Sequence, residues 1–135
     1  MVNAERHSER MLILKMVLDN GLLNVLTVYA PHSGNRRRKK EFLERIVPLG
    51  ELYTLECNGC VSGDMNGHVG SNNVGYDGMH GSYGFRARNA DGSSIFEFAD
   101  RLNLVICNTL FMKQESKLVT NVAGSTKSTV DYIIW

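Results

Sequence analysis

The chain has no long hydrophobic run, no internal repeat, no low-complexity tract and almost no net charge, and these absences remove several classes of function. Its longest apolar stretch, Met11–Leu18, is broken by Lys15 and falls well short of the roughly 20 apolar residues that carry a helix across a bilayer. No membrane role follows. Nothing near Met1 has the basic, apolar and small-residue regions of a secretory signal. Three cysteines, Cys57, Cys60 and Cys107, are an odd count that does not read as a disulfide framework. A reducing intracellular compartment is therefore expected. What is present is 135 residues, 43% hydrophobic and 21% charged, the composition of one globular domain able to bury a core.

The formal charge of +1 conceals a local imbalance, because Arg36, Arg37, Arg38, Lys39 and Lys40 stand in a row while the acids are scattered. An anionic partner would be met there. The apolar runs Met11–Leu18 and Leu22–Tyr29, joined through Asp19-Asn20-Gly21, predict an antiparallel hairpin with its positive-φ pair at Asn20-Gly21. After the cationic run, Phe42, Leu43, Ile46 and Val47 recur at helical spacing until Pro48 and Gly50, which predicts an amphipathic helix lying on a sheet. A short strand is expected from Cys57 to Ser62, running into Gly63-Asp64. Residues 67–84 are so rich in Gly, Asn and Ser that they read as loop. Asp91-Gly92-Ser93 offers a start for a second helix with Ile95, Phe96, Phe98, Ala99 and Leu102 on one face, followed by strands at Leu104–Cys107 and Val130–Trp135. Strands alternating with helices argue for an α/β layered sandwich.

The stretch Val61-Ser62-Gly63-Asp64-Met65-Asn66-Gly67 holds the most chemistry. A carboxylate and a carboxamide two residues apart leave a strand end between glycines and can converge on one ion or water, as phosphodiester hydrolysis requires. The commoner fate of an arbitrary Asp-x-Asn-Gly is a turn in which the side chains bond their own backbone. A calcium loop counted from Asp64 would need Gly and Glu where Val69 and Gly75 stand, so that reading fails. Cys57-x-x-Cys60, completed by His68, His80 or Cys107, is a weak zinc alternative without a second paired motif.

Gly63-Asp64-Met65-Asn66 resembles the Gly-Asp-aromatic-Asn signature of the endonuclease/exonuclease/phosphatase family. Upstream, Val28-Tyr29-Ala30-Pro31 is similar to that family's strand-ending Tyr-x-Pro, and downstream Ser128-Thr129-Val130-Asp131-Tyr132-Ile133-Ile134 is similar to its Ser-x-Ile-Asp-Tyr-Ile strand. Arg88-Asn89, Gly92, Phe98-Ala99, Leu104 and Asn108-Thr109-Leu110-Phe111 resemble the branch containing non-LTR retrotransposon endonucleases and craniofacial development protein 2-like proteins.

The resemblance implies part of a four-layer α/β sandwich, two packed, mostly antiparallel sheets flanked by helices. It also implies that residues 1–135 are the interior portion of an incomplete domain lacking N- and C-terminal strands. Asp64 would activate or orient the attacking water and approach the metal, Asn66 would steady phosphate and metal-bound water, Tyr29 would contact the scissile phosphate, and Asp131 would orient a catalytic histidine. Asp64 and Asn66 would hold Mg or Mn, weakly or not at all in this chain. Met65 replaces the usual aromatic, and Asn121 stands where relatives place one.

The family's metal-binding Glu and terminal His have no counterpart. Met1–Arg10 is not expected to form the strands that carry the former, and none of His7, His32, His68 and His80 lies beyond Asp131. The expected function is thus a fragment of a divalent-metal-dependent phosphodiester hydrolase, a retroelement-derived DNA endonuclease inactive by itself. The alternatives are a domesticated or decayed binding protein and a phosphatase of the same fold. Arg36, Arg37, Arg38 and Lys39 would meet the DNA phosphate backbone, a solvated basic loop or nuclear-import signal being the competing account. Self-association through unpaired strand edges is expected as well.

Overall fold

The computed structural model describes residues 1–32, 34–56 and 58–135, without the side chains of residues 55 and 56. Cys57, and with it half of the weak zinc alternative, lies outside the described residues. The elements run β1 (Val2–Ser8), β2 (Met11–Leu18), β3 (Gly21–Tyr29), α1 (Arg36–Gly50), β4 (Gly59–Asp64), α2 (Ala90–Arg101), α3 (Glu115–Leu118), β5 (Asn121–Ala123), β6 (Thr126–Ser128) and β7 (Asp131–Ile134). A main sheet of order β1-β2-β3-β4-β7 and a separate β5-β6 hairpin make up the strands. The mixed α/β expectation holds. Among the described residues, β5-β6 is the second sheet, and the main-sheet face opposite the helices leaves Leu12, Leu14, Leu23 and Val25 partly exposed.

The hairpin forms where the apolar alternation predicts it, but Leu18 pairs with Gly21. Asp19 and Asn20 therefore make the turn, and only Gly21 takes positive φ, at 136°. From that register, alternate residues divide between the faces. Ile13, Leu26 and Val28 point into the core, while Leu12, Thr27 and Tyr29 point the other way. β3 and β4 are parallel, so a crossover connection is needed, and α1 provides it. α1 is capped by the Asn35 side chain, which accepts from the Arg38 N–H at 3.1 Å, and it contributes Phe42, Leu43, Ile46 and Val47 to the core. Each such burial is worth about 1.5–3 kcal/mol before entropy is subtracted.

Several sequence expectations shift. Pro48 lies inside α1 instead of ending it, and the chain continues into a π-helical turn at Glu51–Glu56. α2 begins at Ala90, with Asn89 as its cap, so Asp91 sits in the first turn rather than at the start. Leu104–Cys107 contributes one bridge, Ile106 to Ile134, before a 3-10 turn at Cys107–Thr109. Val2–Ser8 does form a strand, β1, paired to β2. Its Glu5 lies 3.7 Å from Lys15 rather than at the Asp64 end of the sheet.

The expected unpaired edge at β7 is also corrected. Its outward groups are taken. The Ile133 N–H donates to Asn108 Oδ1 at 2.8 Å, Asn108 Nδ2 donates to the Asp131 carbonyl at 3.1 Å, and the Asp131 N–H donates to Thr120 Oγ1 at 3.2 Å. Val105 and Trp135 exchange backbone bonds of 2.7 and 2.9 Å. A single carboxamide thus mimics a neighbouring strand and blunts the edge.

Candidate active site

Three strands bring the candidate residues together. Tyr29 is the parallel partner of Asp64, and Asp64 is the antiparallel partner of Asp131. Since Val28, Val61 and Tyr132 face the core, alternation turns Tyr29, Asp64 and Asp131 onto the opposite face at the same level. Directly paired residues hold their Cβ atoms about 4.5–5.5 Å apart, close enough for the carboxylates to share one ion or phosphate. The carboxyl ends of parallel strands are where open α/β sheets bind ligands. Gly63 makes this arrangement possible, because its φ is +134° and a Cβ there would lie 2.0 Å from the Val28 carbonyl oxygen.

The loop after β4 is held on every side. The Asn66 N–H donates to Asp64 Oδ1 at 2.9 Å, the self-bonding turn common to this pattern, but Asn66 Nδ2 donates across to the Ala30 carbonyl at 2.8 Å. Asn66 has φ +45°, a left-handed conformation for a non-glycine residue. The Tyr132 hydroxyl stands 2.7 Å from the Gly67 carbonyl and 2.8 Å from the Thr129 carbonyl, its one proton available to either, and accepts from the Val69 N–H at 3.2 Å. Desolvation, foremost, holds the Tyr132 phenol far above its usual range. Asn89 Oδ1 accepts from both the Gly92 N–H and the His68 N–H, which ties the loop to the first turn of α2.

Burial pushes the Asp64 pKa up. The Asn66 N–H opposes that rise, the Asp131 carboxylate adds to it, and Lys39 and His32 pull the other way. Lys39 is the surprise of the cationic run. Arg36, Arg37, Arg38 and Lys40 are exposed, whereas Lys39 is 1% exposed. Its ammonium donates to the Asn66 carbonyl and stands 3.4 Å from Asp91 Oδ2. Desolvation lowers its pKa, with Asp91 and Asp64 acting against that. Of the four cations expected to meet nucleic acid, Lys39 therefore points inward. Arg37 pairs with Glu41 at 2.9 Å on the surface.

The donor set suits a hard divalent cation. Asp64 and Asp131 repel one another, which a cation between them would relieve, and carboxylates with a carboxamide oxygen are the ligands such ions take. Asp64 and Asn66 would be the anchors and water would complete the coordination. Among the described residues, no group of three or more His, Cys, Asp or Glu side chains gathers around a possible metal. His80, considered for zinc, is used up in the loop: its Nδ1 accepts from the Ser82 N–H at 2.9 Å, so Nε2 carries the proton and donates to the Gly70 carbonyl at 2.8 Å.

Sequence reasoning missed two neighbours of the site. The Arg10 guanidinium lies 4.9 Å from the Tyr29 ring centroid and donates to the Tyr29 carbonyl at 3.2 Å. Counting back from the Leu18–Gly21 pair puts residue 10 opposite residue 29, so the correct turn assignment would have found it. His32, within electrostatic reach of Asp64, follows the Tyr29-Ala30-Pro31 motif directly.

Comparison with known proteins places this geometry. No family model matches the chain. It is 31% identical over 118 residues to craniofacial development protein 2 of Bos taurus, covering 83% of this chain and 19% of that protein. It is 29% identical over 133 residues to the Tragulus javanicus protein of that name, covering 94% and 22%. The chain thus spans about a fifth of the length of these curated relatives. The endonuclease domain of TRAS1, a telomere-specific non-LTR retrotransposon, superposes with a TM-score of 0.60 at 13% identity, covering 98% of this chain and 55% of that domain.

Proposed function

We propose a function from the premise that this chain is a relative of craniofacial development protein 2 with the fold of a retrotransposon endonuclease domain: it is a phosphodiester-binding portion of a divalent-metal-dependent DNA endonuclease. The observation that carries this reading is the alignment of Tyr29, Asp64 and Asp131 on three adjacent strands and one face. Asp64 and Asn66 would hold Mg²⁺ or Mn²⁺, which when bound would supply Lewis-acid stabilisation of charge on phosphate oxygens. Tyr29 meets the phosphate through its half-exposed phenol, with Arg10 seated against its ring. Asp64, its pKa raised by burial, orients a water as hydrogen-bond acceptor. Asp131, paired with Asp64, is the second carboxylate at hand, and among the described residues no third joins them, so binding is weak and cutting by this chain alone is slow.

Titration with Mn²⁺, followed by paramagnetic broadening of backbone amides, tests the site. Broadening should centre on Asp64, Asn66 and Asp131, and Asp64→Asn should weaken the affinity at least about tenfold. Broadening that Asp64→Asn leaves unchanged would sink the assignment. Plasmid nicking in Mg²⁺ should stay near that of an Asp64→Ala control, and robust Asp64-dependent nicking would overturn the claim that the chain alone cuts slowly.

A second reading, a binding protein without catalysis, is favoured by one feature, the exposed row Arg36–Arg38. In that case DNA affinity should fall steeply with salt and lose part of its slope when these arginines are neutralised, while Asp64→Asn leaves it unaltered.

A further inference from the structure

A lysine buried to 1% exposure within a surface run of cations carries a desolvation cost that its stem alone does not recover. Its surroundings are polar and specific. The ammonium donates to the carbonyl of Asn66 and pairs with Asp91 in the first turn of α2. Asp91 is itself 9% exposed, and an acid in that turn also suits the positive end of the helix dipole. Lys39 therefore joins α1, α2 and the loop after β4 at one point.

Asn66 is held through three of its polar groups. Its N–H reaches Asp64, its side-chain amide nitrogen reaches Ala30, and its carbonyl receives Lys39. Asparagine tolerates the left-handed region better than other residues bearing a Cβ, but it stays fixed there in one orientation only where its surroundings hold it. Asp64 and Ala30 act from the sheet side, and Lys39 is the contact from the helix layer.

We propose that Lys39 is a positioning residue for the candidate metal site, clamping Asn66 in its left-handed conformation so that Asn66 and Asp64 present their oxygens together, with Asp91 compensating its buried charge. The assignment rests on the reading of Asp64 and Asn66 as metal-holding groups. A purely structural ion pair makes a different prediction. Neutralising both members of a buried pair leaves no stranded charge, whereas removing one strands the other.

The test compares the full chain with Lys39→Met and with Lys39→Met/Asp91→Asn by urea unfolding, hydrogen exchange at the Asn66 and Gly67 amides, and Mn²⁺ titration. Lys39→Met should lower the urea midpoint and the double variant should recover it. In the recovered double variant, exchange at Asn66 should still be at least about tenfold faster and Mn²⁺ binding about tenfold weaker than in the unaltered chain. A double variant that recovers the midpoint with Asn66 exchange and Mn²⁺ affinity within about twofold of the original would overturn the proposal. Failure to recover the midpoint would overturn the assignment of Asp91 as its compensating partner. If the unaltered chain shows no Asp64-dependent Mn²⁺ binding, the metal reading fails, and Asn66 exchange still decides whether Lys39 clamps the loop.

Discussion

Two consecutive loop segments of similar composition, residues 65–70 and 71–79, behave very differently. None of residues 65–70 is exposed, while Val74 in the second segment is 72% exposed. The first is held by groups far away in sequence, Tyr132, Asn89, Lys39 and Ala30. The second bonds within itself along its middle, through Asn72 to Val74, Asn73 to Tyr76 and Tyr76 to Met79, and is tied to distant groups at its ends, through Ser71 to Arg86, Ile106 to Met79 and the stacking of Tyr76 on Phe96 with ring centroids 4.6 Å apart. Richness in Gly and Asn permits both outcomes. Whether such a segment becomes a rigid site wall depends on what faces it.

The sharpest way to break this contrast is glycine replacement. A Cβ at Gly92 would stand 1.8 Å from the His68 carbonyl oxygen, whereas at Gly75 it would meet nothing within 4 Å and incur only the strain of φ +84°. Gly92→Ala should cost about 3 kcal/mol by forcing α2 off the first segment, and Gly75→Ala about 1 kcal/mol. Urea unfolding of both measures the difference, and equal costs would mean that the two segments are anchored alike.

Tyr132→Phe should come next. It strips one donor and one acceptor from buried backbone groups of residues 67 and 69, at a cost of about 2 kcal/mol. Hydrogen exchange should accelerate at Val69 and remain unchanged at Val74, and uniform acceleration would contradict the separation of the two segments.

The smallest effect concerns His80, which closes the second segment. Burial lowers its pKa below 6.5, the Gly70 carbonyl opposing and Arg88 assisting. The unfolded chain then binds more protons in the window below 6.5, so the stabilisation is fully present above 6.5 and is lost as pH falls toward the folded pKa. The geometry gives the same sign, because a proton on Nδ1 would confront the Ser82 N–H. A urea midpoint that falls between pH 7 and 5 in the unaltered chain, and falls less in His80→Gln, is the expected result. Identical slopes would remove His80 from the account.

Much of the framework was legible in local chemistry. The alternation in Met11–Tyr29 specified a hairpin, the spacing of Phe42, Leu43, Ile46 and Val47 specified a helix, and Gly63-Asp64 marked a strand end where only glycine fits beneath the Val28 carbonyl. Where competing interactions are nearly equal, local reading faltered. Pro48 lost one helical hydrogen bond near the end of α1 without stopping it. Leu104–Cys107 had the composition of a strand, yet it pairs only once because the Asn108 amide and Thr120 hydroxyl already occupy the edge of β7.

By itself, then, the sequence determined the periodic elements, the resemblance and the identities of Tyr29, Asp64, Asn66 and Asp131, since period and residue type are properties of neighbours along the chain. Only the tertiary structure decided that strand register lines three of them up on one face, that Arg10 lies against Tyr29, and that Lys39 alone of its run turns inward to Asn66 and Asp91. Five adjacent cations are alike in sequence. The free energy of burying one of them depends on a carboxylate and a carbonyl supplied by segments 52 and 27 residues away, and those partners exist only once α1, α2 and β4 have packed.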